Sequence, residues 1–257
     1  MAASGSDFTY RLLVDAGLRE GMRILDIGCG PGDVSFLASS LVGETGSVVG
    51  VDRNDGLLAV ARQRPAESAT PAPTFVLADI NALPANLGTF DAIVGRRVLM
   101  YQPDGVETVR LLMRRLASGG LIAFQELDMT MVPASVVPLA LHERVLEWLR
   151  QMVTAEGADV KMGFHLHDVL TRAGMVVEEV RAEAIVQTPT APSNLAEIIK
   201  AVLPRIVEHG CATATEIDIE TLHSRLTAER LETNATYIGD MMFGAWARKP
   251  VIKDRVS

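Results

Sequence analysis

The chain has 257 residues and a formal charge of −8, from 24 Lys+Arg against 32 Asp+Glu. Apolar residues make up 48% and charged residues 22%, so a large core can form and global disorder is excluded. The acidic balance argues against nucleic acid as the main partner, because phosphate neutralisation needs a basic face, and no apolar run reaches the length of a membrane span.

Two cysteines, Cys29 and Cys211, cannot build a disulfide framework, and a reducing cytoplasm fits them best. The opening MAASGSDFTYRLL lacks the basic region and apolar stretch of a secretory signal. Further along, short apolar runs alternate with amphipathic segments. Runs at 22–27, 47–51, 74–78, 90–94 and 121–125 read as strands, and 33–42, 55–63 and 104–117 read as helices. Such alternation predicts a parallel sheet covered by helices on both faces. Residues 65–73 (PAESATPAP) read as an exposed loop.

The second half reads differently. A longer helix is expected over 137–155, a short one over 166–173 ended by Gly174, and β structure over 175–187. Pro189 and Pro192 break the chain before two helical segments, 194–208 and 215–231, and a closing strand, 237–247. No linker separates independent domains. Residues 1–257 are expected to form one α/β domain, with 131–165 and 189–234 as helical lid insertions.

The sharpest signal is Ile24-Leu25-Asp26-Ile27-Gly28-Cys29-Gly30-Pro31-Gly32, an apolar run entering three glycines before a helix. Glycine lets a ligand press against the backbone and permits positive φ in a tight strand-to-helix turn. Asp26 precedes the turn, and Asp52 ends the next apolar run. A carboxylate at that second strand tip suits ribose hydroxyls. A pyrophosphate is disfavoured, because the third glycine comes early and Asp33 occupies the helix start. Asp26 suits an ammonium group instead. Adenosine at one end and an α-amino acid at the other match both acids, which describes S-adenosylmethionine.

The runs ILDIGCGPG, VVGVDRN and LADINALP together resemble the class I S-adenosylmethionine-dependent methyltransferases, and within them the ubiquinone/menaquinone-biosynthesis-like small-molecule branch. The resemblance covers residues 22–128. It implies a Rossmann-like, mostly parallel seven-stranded sheet whose last strand, 237–247 here, is antiparallel. It also implies that Gly28, Gly30 and Gly32 line the methionine and ribose portion, that Asp26 holds the amino group through water, and that Asp52 holds the ribose. Arg53 would flank the adenine, Asp79 would face its amine, Ile80 would pack beside the ring, and Gly95 and Arg96 would meet the methionine part. S-adenosylhomocysteine would be the product. The doubled arginine in VGRRVLMYQPD departs from the usual pattern; Arg96 or Arg97 could meet the cofactor carboxylate or an anionic substrate.

The sulfonium makes its methyl group electrophilic, so no protein nucleophile is required and Cys29 reads as a packing residue. An oxygen or nitrogen acceptor can need a base. Candidates are Glu126 and Asp128 in QELDM, Tyr101, and His165 and His167 in GFHLHDV, which would share one side if that stretch were extended. The two histidines are too few for a metal site, and no metal is expected. His142 and Trp148 fall on the 137–155 helix. Apolar and Met-rich surface in the insertions favours a partly apolar small acceptor, methylated at O, N or C by in-line displacement. A homodimer is compatible with the sequence. The alternative is a methyltransferase-fold protein that binds the cofactor but catalyses a cyclisation. A nicotinamide dehydrogenase is disfavoured by Asp26, and amide or exocyclic-amine methylation by VGRRV in place of an Asn-Pro-Pro-Tyr tetrad.

Overall fold

The structure is a computed structural model that describes residues 5–65 and 71–251. The centre of the expected 65–73 loop therefore lies outside the described residues, as does the extreme N-terminus. In chain order the elements are α1 (Gly5–Asp15), β1 (Arg23–Ile27), α2 (Asp33–Val42), β2 (Ser47–Asp52), α3 (Asp55–Gln63), β3 (Thr74–Leu77), β4 (Phe90–Arg96), α4 (Gly105–Met113) and β5 (Leu116–Asp128). There follow β6 (Ala134–Ser135), α5 (Ala140–Ala155), α6 (Met162–Ala173), β7 (Val176–Gln187), α7 (Leu195–Glu208), α8 (Ala214–Ile217), α9 (Ile219–Thr233) and β8 (Tyr237–Arg248). The chain forms two compact units: a larger one from 6–126, 163–181 and 243 onward, and a smaller one chiefly from 127–162 and 182–242.

The larger unit is built on a sheet in the order β3-β2-β1-β4-β5-β8, with β7 also against β8. The pairs β1–β2, β1–β4, β2–β3 and β4–β5 are parallel. Ile24, Leu25 and Ile27 of β1, and Ala92, Ile93 and Val94 of β4, are fully buried. Their continuous apolar runs are what a strand covered on both faces requires. Helix starts follow local capping chemistry. The Asn54 side chain accepts from Leu57 N–H before α3, and Asp104 accepts from Glu107 N–H before α4. The expected mixed α/β architecture is met. In the smaller unit the two-residue β6 pairs antiparallel with the start of β8, Ser135 opposite Tyr237.

Three local expectations are corrected. The helix expected over 104–117 stops at Met113, and Leu116 instead opens β5 opposite Phe90. Its apolar spacing continued the helical period, but its backbone pairs in the sheet. The helix expected over 215–231 is broken at Asp218, which takes φ +44° between α8 and α9. The stretch around His165 and His167 is not extended: both lie inside α6, which begins at Met162.

Candidate active site

The site is assembled at the carboxyl ends of parallel strands in the larger unit. Gly28, Gly30 and Gly32 all take positive φ between β1 and α2. The three do different things. A Cβ on Gly28 would sit 2.6 Å from Val98 Cγ2, so that glycine is demanded by packing within the protein. A Cβ on Gly30 would meet nothing nearer than Leu57 Cδ1 at 3.9 Å, although the residue itself is buried. Of the three glycines it is Gly28 that lines the neighbouring cavity.

Asp52 ends β2 and fixes this turn. Its Oδ2 accepts from Gly30 N–H at 2.8 Å and its Oδ1 from Asn54 N–H at 2.8 Å. Asp79 ends the β3 segment and accepts from Asn81 N–H at 2.8 Å. A cavity of about 350 Å³ lies along these tips, within the range of small-molecule sites. Gly28, Asp52, Arg53, Asp79, Ile80 and Tyr101, all candidates named from the sequence, line it. Arg97, Val98, Asn81 and Gln102 also line it. Asn81 Nδ2 donates to Gln102 Oε1 at 3.0 Å and Asn81 Oδ1 accepts from Thr108, which stiffens that wall.

Asp26 is 1% exposed and lies behind the turn rather than on the cavity wall. Ser35 Oγ donates to its Oδ2 at 2.5 Å, and its buried Oδ1 has no partner among the described residues. Burial pushes its carboxyl up to about 7, with the Ser35 hydrogen bond pulling the other way. A buried acceptor with spare capacity, separated in sequence from the cavity-lining Gly28 only by Ile27, fits an ammonium group reached through water. Cys29 is buried, and burial drives its thiol far above the nucleophilic range.

The remaining candidates are dispersed. Gly95 is packed, with Ile27 Cγ1 2.9 Å from where a Cβ would stand. Arg96 donates to Asp33 Oδ2 at 3.1 Å, and Arg64 holds Asp33 Oδ1 at 2.6 Å. Neither Gly95 nor Arg96 lines the cavity; the next two residues do. Glu126 is fully buried and anchors amides: its Oε1 accepts from Val98 N–H at 2.9 Å and Leu99 N–H at 2.8 Å. Asp128 Oδ1 likewise accepts from the N–H groups of Thr130 and Met131. Tyr101 is 42% exposed at the cavity. His165 and His167 are exposed on α6, two positions apart, so they diverge around the helix axis.

In the smaller unit, Trp148 is core. His142 is fully buried, with Nδ1 2.7 Å from Glu229 Oε2 and its ring edge-on to Tyr237. Among the described residues no group of three His, Cys, Asp or Glu is placed to hold a metal, and no helix is long and apolar enough to cross a membrane.

A parallel sheet with a glycine turn after its first strand and acids at the tips of the second and third defines a nucleoside-binding α/β fold. Residues 18–187 match the methyltransferase domain family. The chain belongs to that family, on the class I S-adenosylmethionine-dependent branch. Demethylmenaquinone methyltransferase of Staphylococcus aureus (strain MRSA252) is 30% identical over 132 residues, 51% of this chain and 54% of that protein. The matched region thus spans about half the length of that curated relative. A Bacillus halodurans C-125 protein assigned to the methyltransferases aligns over 96% of this chain and 100% of its own, with TM-score 0.62 and 16% identity. The 4+2 cyclase SpnF aligns over 96% of this chain and 82% of its own, with TM-score 0.55 and 18% identity. These two likenesses are of fold.

Proposed function

We propose that the chain transfers the methyl group of S-adenosylmethionine to an oxygen, nitrogen or carbon atom of a partly apolar small molecule. The observation that carries this reading is one cavity wall that brings together Gly28 after β1, Asp52 at the end of β2, and Asp79 and Ile80 after β3. When bound, the cofactor would supply a sulfonium-activated methyl carbon. The protein's own part is positioning and exclusion of water. Asp52 and Asp79 would accept hydrogen bonds from the nucleoside, Ile80 would pack on its base, Arg53 would flank it, and Gly28 would admit the chain that follows, with Gly30 behind it held by Asp52. Residues 131–165 and 189–234 are proposed to select the acceptor. The acidic balance of the chain supports a small molecule over a nucleic acid.

Isothermal titration with S-adenosylhomocysteine tests the reading. Micromolar binding that collapses in Asp52→Ala supports it; no binding to the wild type at millimolar ligand removes it.

One observation favours a second reading. Glu126 is committed to amides, and His165 and His167 diverge on an exposed helix, so among the described residues none of these three candidate bases lines the cavity. A reaction on the bound acceptor without methyl transfer, such as a cyclisation, is compatible with that, since fold does not dictate chemistry. Release of S-adenosylhomocysteine in step with product separates the two.

A further inference from the structure

We infer that Arg97 is the receptor for the carboxylate of the cofactor's amino acid tail. This rests on the cofactor reading above. The strand order β3-β2-β1-β4 places four tips in a row, and each tip brings a different group to the cavity. Asp79 follows β3, Asp52 ends β2, Gly28 follows β1, and Arg97 follows β4. Neighbouring strands lie about 4.8 Å apart, so the row is about 14 Å long. An extended nucleoside with an amino acid tail spans that distance. With base at Asp79 and ribose at Asp52, the tail runs past Gly28 and its terminus arrives at the fourth tip. β1 and β4 are directly paired there, Ile27 opposite Gly95.

Charge makes the same assignment. Among the described residues the cations on the cavity wall are Arg53 and Arg97. Arg53 adjoins Asp52, at the nucleoside end. Arg96, the neighbour that might compete, is turned to Asp33 and away from the wall. An amino acid tail carries an ammonium and a carboxylate. Asp26, with its unpartnered Oδ1, lies on β1 for the first; Arg97 is the cation at the adjacent tip for the second.

The backbone holds Arg97 in place for this. It takes φ +56°, a conformation that disfavours a residue with a Cβ. Three contacts impose it: Arg97 N–H donates to Gln125 O at 2.8 Å, and the next two amides are gripped by Glu126. A charged side chain kept where glycine would be easier indicates that the side chain is used.

The test compares S-adenosylmethionine with its decarboxylated analogue and with 5′-methylthioadenosine, which lacks the tail. Each is titrated calorimetrically into wild type, Arg97→Gln and Arg97→Lys. We expect the wild type to favour the carboxylate-bearing ligand by about tenfold or more, as for a charge-assisted hydrogen bond. Arg97→Gln should bring that ratio to near one and leave methylthioadenosine affinity unchanged; Arg97→Lys should keep part of the preference. The inference is overturned if Arg97→Gln retains the wild-type preference, or if all three ligands weaken equally. Wild type that binds none of the three fails the cofactor reading itself, and the inference with it.

Discussion

Glu126 ties the end of β5 to the chain reversal that follows β4, and its removal should be costly in a way that depends on pH. Glu126→Ala leaves the Val98 and Leu99 amides buried without an acceptor. At about 1–3 kcal/mol for each orphaned amide the loss is about 2–6 kcal/mol, a large part of the roughly 5–15 kcal/mol that holds a domain. Glu126→Gln keeps an acceptor oxygen and removes the charge. Burial pushes the Glu126 carboxyl from 4.5 up to about 7, against the pull of the amide hydrogen bonds. An acid whose folded pKa is raised holds its proton more tightly when folded. The stability it contributes is complete below pH 4.5 and is lost as pH rises through about 7. The stability gap between Glu126→Gln and wild type should therefore move by about 3 kcal/mol in favour of Gln across that window. Asp26 titrates in both proteins and cancels from the difference. Urea unfolding at pH steps from about 4.5 to 8 measures the gap through the midpoint and slope. A gap constant within about 0.5 kcal/mol, or an Ala variant that loses less than about 1 kcal/mol, refutes the reasoning.

Three further outcomes are expected. Asp52→Ala should weaken S-adenosylhomocysteine about 10- to 100-fold by calorimetry, and also lower the melting temperature, because the Gly30 and Asn54 amides lose their acceptor. Gly30→Ala should cost only about 1–2 kcal/mol of stability from its positive φ, since a Cβ there meets nothing nearer than 3.9 Å; Gly28→Ala, which must displace Val98, should lose more stability than Gly30→Ala in the same denaturant titration. In the smaller unit, burial holds the His142 imidazole below its ordinary pKa, outweighing the pull of Glu229. The unfolded imidazole gains its proton first, so stability should fall as pH drops below about 6.5; hydrogen exchange in α5 and α9 should accelerate there, and Glu229→Gln should deepen the loss and extend it to lower pH.

The parts of the site legible in the chain were those written locally. Three glycines after an apolar run, and acids at the ends of the next two runs, specify strand tips whatever the rest of the chain does. What was not legible depends on distant partners. The doubled arginine gives no local clue to which member faces the cavity. That choice is made by Asp33, which claims Arg96 from 63 positions away, and by Glu126, which fixes the reversal from 28 positions away. GFHLH suits a strand or a helix equally on paper. It is helical because Gly163 lies against Phe243, leaving no room for a Cβ, while Leu166 and Leu170 are buried on the same helix. Leu116 continued a helical spacing by coincidence; pairing with Phe90 decided its conformation.

The exclusion of a pyrophosphate also changes its physical basis. In sequence, Asp33 at the start of α2 looks like an unpaired anion that would repel phosphates. In the structure Asp33 is shared by Arg64 and Arg96, so its charge is largely compensated and repulsion from it is weak. Packing bears on the helix start instead. Gly32, the cap of α2, stands with Phe75 Cζ 3.0 Å and Phe36 Cε2 3.2 Å from where its Cβ would be. A phosphate pair that sought the helix amides from that side would compete with these two rings. The open face is the cavity wall at Gly28, where the nearby acid on the wall is Asp52 and the buried one is Asp26. A negatively charged bridge is disfavoured there, and a ligand with hydroxyls and a cationic tail is favoured. Replacing Phe75 by Ala would open the helix start without touching either acid. If affinity for a dinucleotide rose while affinity for S-adenosylhomocysteine held, the rings would be the discriminating element; if the dinucleotide still failed to bind, the two carboxylates would be.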